Sequence, residues 1–169
     1  FSAFNAEDSD IFTFNSGSGN LVRWRIAEKR SVWTTNAQIK AISMDFSSAA
    51  NRLAIGENNG VISIFDTETG VPLGKSISHN RAIFAIRFSS DGKQIFASYE
   101  DGLLKCFNAE NLTEIYSVQA HKDLFKGLDI SPDSKFLVSG GNDNLVKIIE
   151  AASGKILFTL EGNTKPLYK

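Results

Sequence analysis

The chain has 169 residues, 42% of them hydrophobic and 22% charged, and a formal net charge of −1. Enough apolar residues are present for a packed interior, but there is no global basic field to hold nucleic acid or an anionic membrane. No run approaches the roughly 18 apolar residues of a membrane span, and no N-terminal signal pattern is visible.

The elements are short and separated by turn chemistry. Residues 1–36 form a partial first unit: Phe1–Phe4 as the tail of an inner strand, then Asp10–Ser16, Asn20–Ala27 and Arg30–Thr35. The acidic Asn5–Asp10 and the Gly/Ser tract Ser16–Gly19 are its turns. Residues 37–78 are the second unit, with strands over Ile39–Phe46, Leu53–Gly56, Gly60–Asp66 and Pro72–Ile77. Pro72 is expected on an edge, where a missing backbone donor costs little. Residues 79–120 repeat the plan as Ala82–Phe88, Gln94–Tyr99, Gly102–Asn108 and Leu112–Val118. Residues 121–162 do so again as Leu124–Ile130, Phe136–Ser139, Leu145–Ile149 and Ile156–Leu160. Apolar runs bounded by Gly, Pro, Asn, Asp and Ser are the pattern of antiparallel strands. Residues 163–169 read as the stub of a fifth unit, and Phe rather than Met at position 1 marks the chain as an excerpt.

The units are copies. A shift of 42 residues places His79 on His121, Ser89 on Ser131, Asp91 on Asp133, Asp101 on Asp143 and Lys105 on Lys147. The same shift places Phe46 on Phe88 and Gly60 on Gly102, with a slip to 40 between Asn20 and Gly60. Four strands repeating every 40–45 residues or so are the signature of propeller blades.

The positions that repeat resemble the WD-repeat β-propeller family over almost the whole chain. The family's Gly-His, Ser-Pro-Asp-Gly turn, later Asp and closing Trp-Asp fall on Ala120-His121, Ser131-Pro132-Asp133-Ser134, Asp143 and Ile149-Glu150. One unit earlier they fall on Ser78-His79, Ser89-Ser90-Asp91-Gly92, Asp101 and Phe107-Asn108. The second unit keeps Phe65-Asp66 but has Ala37 for the His and Asn59 for the Asp; the first is read with Arg25-Ile26 for Trp-Asp, leaving no unit with the Trp. The resemblance implies an all-β fold of four four-stranded blades within a larger seven- or eight-bladed ring, completed by further blades of the parent chain.

Each His precedes an Asp by one constant interval, in His79/Asp101 and His121/Asp143, and Ser139 can extend the second pair. Ser, His and Asp together invite a catalytic reading as nucleophile, base and orienting acid. Repetition favours the other reading, in which the groups satisfy one another and tie a turn to a strand, because an active site needs one nucleophile and the third unit has Ala97 in place of Ser139. The resemblance implies the same structural role. Cys106 lies mid-strand and reads as a small buried hydrophobe; as the single cysteine it can form no internal disulfide, which fits a reducing compartment. Two His and one Cys lack metal-ligand spacing, and Gly17-Ser18-Gly19 and Gly140-Gly141 lack the Lys and helix of a phosphate loop, so no cofactor or metal is expected. Asp45, Arg87 and Asp129 share one inner-strand position and read as a mutually neutralising row. Lys165 and Lys169 join no basic stripe, so neither nucleic acid nor membrane is an expected partner.

Surface loops remain. In such an architecture the blade-to-blade connections and the turns between second and third strands share one face, which would carry Asn36, Gln38, Glu57, Asn58, Asn80, Arg81, Tyr99, Glu100, Lys122, Asp123 and Asn142. Arg and Tyr are enriched where interfaces hold their binding energy, so Arg81 and Tyr99 are the expected contact pair. The reading is a non-catalytic intracellular scaffold for other proteins, cytoplasmic or nuclear, with cytoskeletal or ciliary assemblies among the roles similar proteins serve. The alternatives are a module recognising a short peptide at the propeller face and, last, a hydrolase-type enzyme.

Overall fold

A computed structural model of the protein describes residues 2–4, as backbone, and residues 9–167. Phe1, residues 5–8 of the first acidic turn, and Tyr168 and Lys169 of the last stub lie outside the described residues. Sixteen strands make four antiparallel sheets in strict chain order, and no helix occurs among the described residues. Blade 1 contains β1 (Ser2–Phe4), β2 (Asp10–Asn15), β3 (Asn20–Arg25) and β4 (Arg30–Asn36). Blade 2 contains β5 (Ala41–Ser47), β6 (Arg52–Glu57), β7 (Ile62–Asp66) and β8 (Pro72–Lys75). Blade 3 contains β9 (Ile83–Phe88), β10 (Gln94–Tyr99), β11 (Leu103–Asn108) and β12 (Glu114–Gln119). Blade 4 contains β13 (Phe125–Ile130), β14 (Phe136–Gly141), β15 (Val146–Glu150) and β16 (Ile156–Leu160). The innermost strands β5, β9 and β13 neighbour one another in order, so the sheets stand side by side around a common axis.

Alternation of side chains along a strand gives each sheet two apolar faces. Phe12, Phe14 and Leu21 of blade 1 pack against Leu53, Ile55 and Phe65 of blade 2. The other face of blade 2, with Ala54, Ile62 and Ile64, packs against Ile95, Ala97, Tyr99 and Phe107 of blade 3. Phe96, Leu104 and Cys106 then meet Leu137, Ile149 and Leu128 of blade 4. The core is therefore three slabs between four sheets. Two faces are left over: that of blade 1 with partly exposed Trp24, and that of blade 4 with Phe136 and Val138.

The turns explain the repeated polar residues. Asp133 Oδ1 accepts from the Ser131 hydroxyl (2.7 Å) and the Lys135 amide (3.1 Å), and Ser131 Oγ accepts from the Phe136 amide (3.0 Å). Ser89, Asp91, Lys93 and Gln94 make the same set at 2.6–3.0 Å. Such side-chain bonds pin a turn independently of the sheet ladder.

Register corrects one alignment. The pairs Arg52–Asp66, Gln94–Asn108 and Phe136–Glu150 correspond to Asp10–Arg25 in blade 1. A bulge falls at one place in every blade, after Arg23, Ile64, Cys106 and Ile148. The Trp-Asp position of blade 1 is thus Trp24-Arg25, not Arg25-Ile26, and one blade does carry the Trp. The β2–β3 turn, residues 16–19, is one residue longer than the corresponding turns, so the shift there falls from 42 to 41 and Gly19, not Asn20, matches Gly60; the slip to 40 moved the alignment one residue too far.

Candidate interaction face

The connections between blades and the turns between second and third strands do meet on one side, held by one repeated contact. The backbone N–H groups of Ala37, His79 and His121 donate to the carbonyls of Gly19, Gly60 and Gly102 at 2.9, 3.4 and 3.1 Å. All three glycines have positive φ. At Gly60 a Cβ would lie 2.6 Å from the Arg81 carbonyl, so the close approach requires glycine on both counts.

Beneath this face lies the Ser139–His121–Asp143 chain. His121 Nδ1–H donates to Asp143 at 2.8 Å, and the Ser139 hydroxyl donates to Nε2 at 2.8 Å. Burial holds the His121 imidazole below its ordinary value against the pull of Asp143. Burial also works to raise the Asp143 carboxyl, but the His121 ring and the Leu145 amide outweigh it and hold it low. His121 and Ser139 are each 1% exposed, so no substrate carbonyl can reach the hydroxyl, and the groups serve one another.

The His79–Asp101 pair differs. It uses Nε2, at 2.9 Å, and the His79 side chain is 29% exposed. One residue causes this. Gly141 stands under His121, where a Cβ would come within 2.5 Å of Nδ1 and 2.8 Å of Asp143. The corresponding residue of blade 3 is Tyr99, whose ring meets the His79 ring edge-on at 5.0 Å and displaces it outward. In blade 2 the position is Glu57, which accepts from the Ser63 hydroxyl at 2.5 Å and faces Lys75 at 3.7 Å, below an Ala rather than a His.

This inward position corrects two candidate contacts. Tyr99 is fully buried and Glu57 nearly so, so neither reaches a partner from the surface, and Arg81 and Tyr99 form no exposed pair. Both are the last residues of strands and point under the connection rather than out of the turn. Arg81, Glu100, Lys122, Asp123 and Asn58 are exposed, and Asn142 is half-buried. The face therefore offers alternating charge, Arg81 and Lys122 set among Glu100 and Asp123.

Elsewhere, Arg87 Nε donates to Asp129 at 3.1 Å and the Phe88 amide to Asp45 at 2.7 Å, so the inner-strand row links blade 2 to 3 and 3 to 4. Burial pushes the Cys106 thiol up to about 12, consistent with an inert packed side chain. No cluster of three or more metal-ligating side chains occurs among the described residues.

A polar clasp between blades 1 and 2 was not legible in the sequence. Buried Asp10 receives Arg23 Nε at 2.6 Å and Arg25 Nε at 3.0 Å, while Arg23 Nη1 reaches the Thr67 carbonyl (3.0 Å) and Glu68 (2.9 Å). Burial works to raise the Asp10 carboxyl, but Arg25 and Arg23 hold it low. These residues border a cavity of about 510 Å³ on the side opposite the connections. Only the register shows that Arg23 stands at the place held by Ile64, Cys106 and Ile148, because the slip to 40 had put Trp24 there.

The family model of the anaphase-promoting complex subunit 4 WD40 domain matches residues 5–90, and that of the WD domain, G-beta repeat, matches residues 112–150. Among curated proteins no sequence matches. Among solved structures, the crystal structure of the computationally designed Ika8 protein superposes with a TM-score of 0.82 at 20% identity, over 99% of this chain and 50% of that one. At that identity the likeness concerns the fold, and the chain spans half the length of the designed protein. Four blade-like sheets, the repeated turn contacts and a family model matching more than half of the residues agree, and the chain belongs to the WD-repeat family.

Proposed function

We propose that the protein is a non-catalytic scaffold that holds other proteins in a multiprotein assembly through the face bearing Arg81, Glu100, Lys122 and Asp123. WD repeats as a class mediate protein–protein interactions. The observation that carries the reading is the repeated glycine-carbonyl contact under the connections, which fixes the backbone while leaving charged side chains exposed. A preorganised backbone reduces the ordering cost of binding. The match to a subunit of a named complex supports assembly as the setting. The burial of Ser139 and His121 argues against their use as nucleophile and base.

A second reading, recognition of a short peptide at the channel mouth, draws support from Lys126 Nζ lying 5.2 Å over the Phe84 ring on adjacent inner strands. Quantitative affinity capture from cells separates the two, comparing the natural protein with an Arg81→Ala/Lys122→Ala variant and a Phe84→Ala variant of matched stability. The scaffold reading predicts a stoichiometric partner lost only in the first variant. Loss only in the second transfers the function to the channel, and retention in both removes it from this face.

A further inference from the structure

We infer that the groove between β8 of blade 2 and the facing side of blade 3 is a second binding site. It takes an extended segment of another protein and seats one large uncharged side chain of that segment, an aromatic ring. The site runs along the outer rim and is independent of the face bearing Arg81 and Lys122.

The groove exists because the outer strand is small there. Trp33, Gly74 and Tyr116 share one position on the outer strands of blades 1 to 3, and Thr35, Ser76 and Val118 follow on the same face. At the junctions on either side a ring closes the gap. A Cβ on Gly70 would lie 2.7 Å from the Trp33 ring, and one on Gly154 would lie 2.6 Å from the Tyr116 ring. Gly74 has no side chain to offer, and Leu112 opposite comes no nearer than 3.8 Å to where its Cβ would be. A cavity of about 430 Å³ remains, lined by Ile77, His79, Tyr99, Lys105, Phe107 and Leu112 among others. That volume is in the range of ligand pockets.

Its chemistry selects the occupant. The charged and titratable groups along it, Tyr99 aside, already have partners: Lys105 with Glu114 at 2.8 Å, His79 with Asp101 at 2.9 Å and Lys75 with Glu57 at 3.7 Å. A charged ligand would lose its water and find no free counter-charge, so a neutral one is favoured. Phe107, Leu112 and Ile77 supply apolar walls. Tyr99 forms the floor; it is fully buried, yet its hydroxyl makes no hydrogen bond among the described residues. A buried donor without an acceptor is costly, and a peptide carbonyl in the groove would provide the acceptor.

β8 also offers the backbone to hold such a segment. The Ser76 N–H donates to the Ile62 carbonyl of β7 at 2.9 Å and Gly74 pairs with Ile64, so alternation turns the backbone groups of Leu73, Lys75 and Ile77 to the open edge. Leu73 and Ile77 lie exposed there, at 51% and 93%. A peptide added to that edge continues the ladder, and every second side chain of it faces blade 3 over the groove.

The test titrates the natural protein by calorimetry with the acetylated, amidated peptide Ser-Val-Trp-Thr-Thr-Asn. This is the uncharged sequence of residues 31–36, whose ring fills the junction of blades 1 and 2. Saturable binding of one peptide per chain is expected below about 1 mM, and a peptide with Ala for Trp is expected to bind at least about tenfold more weakly. Tyr99→Phe removes only the hydroxyl. It is expected to leave the urea midpoint unchanged or raised while weakening binding about fivefold or more. Ile77→Ser, at a solvated position, is expected to keep the fold and weaken binding as well. No saturable binding by about 1 mM, or equal binding by the natural protein and both variants, overturns the inference. Tighter binding of peptides with Glu or Lys in place of Trp overturns it too, as does binding lost only in the Arg81→Ala/Lys122→Ala variant.

Discussion

Gly141→Ala tests the account of the buried histidine most sharply. The added methyl would meet His121 Nδ1 at 2.5 Å, Asp143 Oδ1 at 2.8 Å and His121 Cγ at 2.8 Å. Contacts below 3.0 Å force a shift, and the neighbours here are two buried side chains joined by a hydrogen bond rather than flexible tips. Overpacking costs about 1–3 kcal/mol, and a weakened bond to a charged group adds up to about 1.5 more. The expected loss is about 2–4 kcal/mol, with His121 displaced toward the exposed setting His79 takes over Tyr99. Gly74→Ala is the control, since its methyl meets only Leu112 Cδ1 at 3.8 Å and a strand glycine replaced by alanine gains about 0.5 kcal/mol. Urea unfolding of both variants, with imidazole resonances as a second readout, decides the matter. A Gly141→Ala protein within 0.5 kcal/mol or so of the natural one refutes the steric account.

Acidification is expected to destabilise the fold in two stages. His121 has a folded value below its unfolded one, so the native state binds fewer protons and stability falls as pH drops below about 6.5. Asp143 and Asp10, both held low, contribute stability that is lost further down, through the carboxylate range. A melting temperature that is flat or rising from pH 7.5 to 5 contradicts this. Arg23→Met leaves Asp10 buried with one cation fewer and is expected to cost about 3–5 kcal/mol, with Asp10→Leu/Arg23→Met recovering most of it in thermal unfolding. Between blades 2 and 3 Gly74 faces Leu112, while Trp33 faces Gly70 and Tyr116 faces Gly154 at the neighbouring junctions. Gly74→Tyr and Leu112→Gly each destabilise alone but couple favourably by at least about 1 kcal/mol together in a double-mutant cycle; additive effects would contradict this size matching.

Strand positions followed the sequence closely: Gln94–Tyr99 and Ile156–Leu160 match residue for residue, and most other ends lie within two residues. Those ends were legible because turn residues with a physical job, such as Asp91 and Asp133, mark them. What failed was direction rather than position. Tyr99 and Glu57 stand beside turns, but their side chains continue the strand alternation inward, and polarity alone could not reveal a Tyr ring or carboxylate serving as the floor under a connection. Comparing them with Gly141, under the fully buried His121, would have raised the question. Trp24 was misaligned because the one extra turn residue requires a slip of one, and matching Asn20 instead of Gly19 to Gly60 made it two without disturbing the hydropathy pattern. The contacts of Trp33 with Gly70 and of Tyr116 with Gly154 were hidden for a different reason: each pair joins residues of successive units, which comparison of one unit with another does not bring together.

The measurement closest to the central claim is hydrogen–deuterium exchange on the protein alone and within its native assembly. The account predicts new protection around Asn80–Arg81, Glu100 and Lys122–Asp123, on the side of the glycine-carbonyl contacts. Protection confined to the opposite turns, at Ser48–Ala50, Ser90–Asp91 and Pro132–Ser134, would contradict it and assign the binding surface to the other side of the blades.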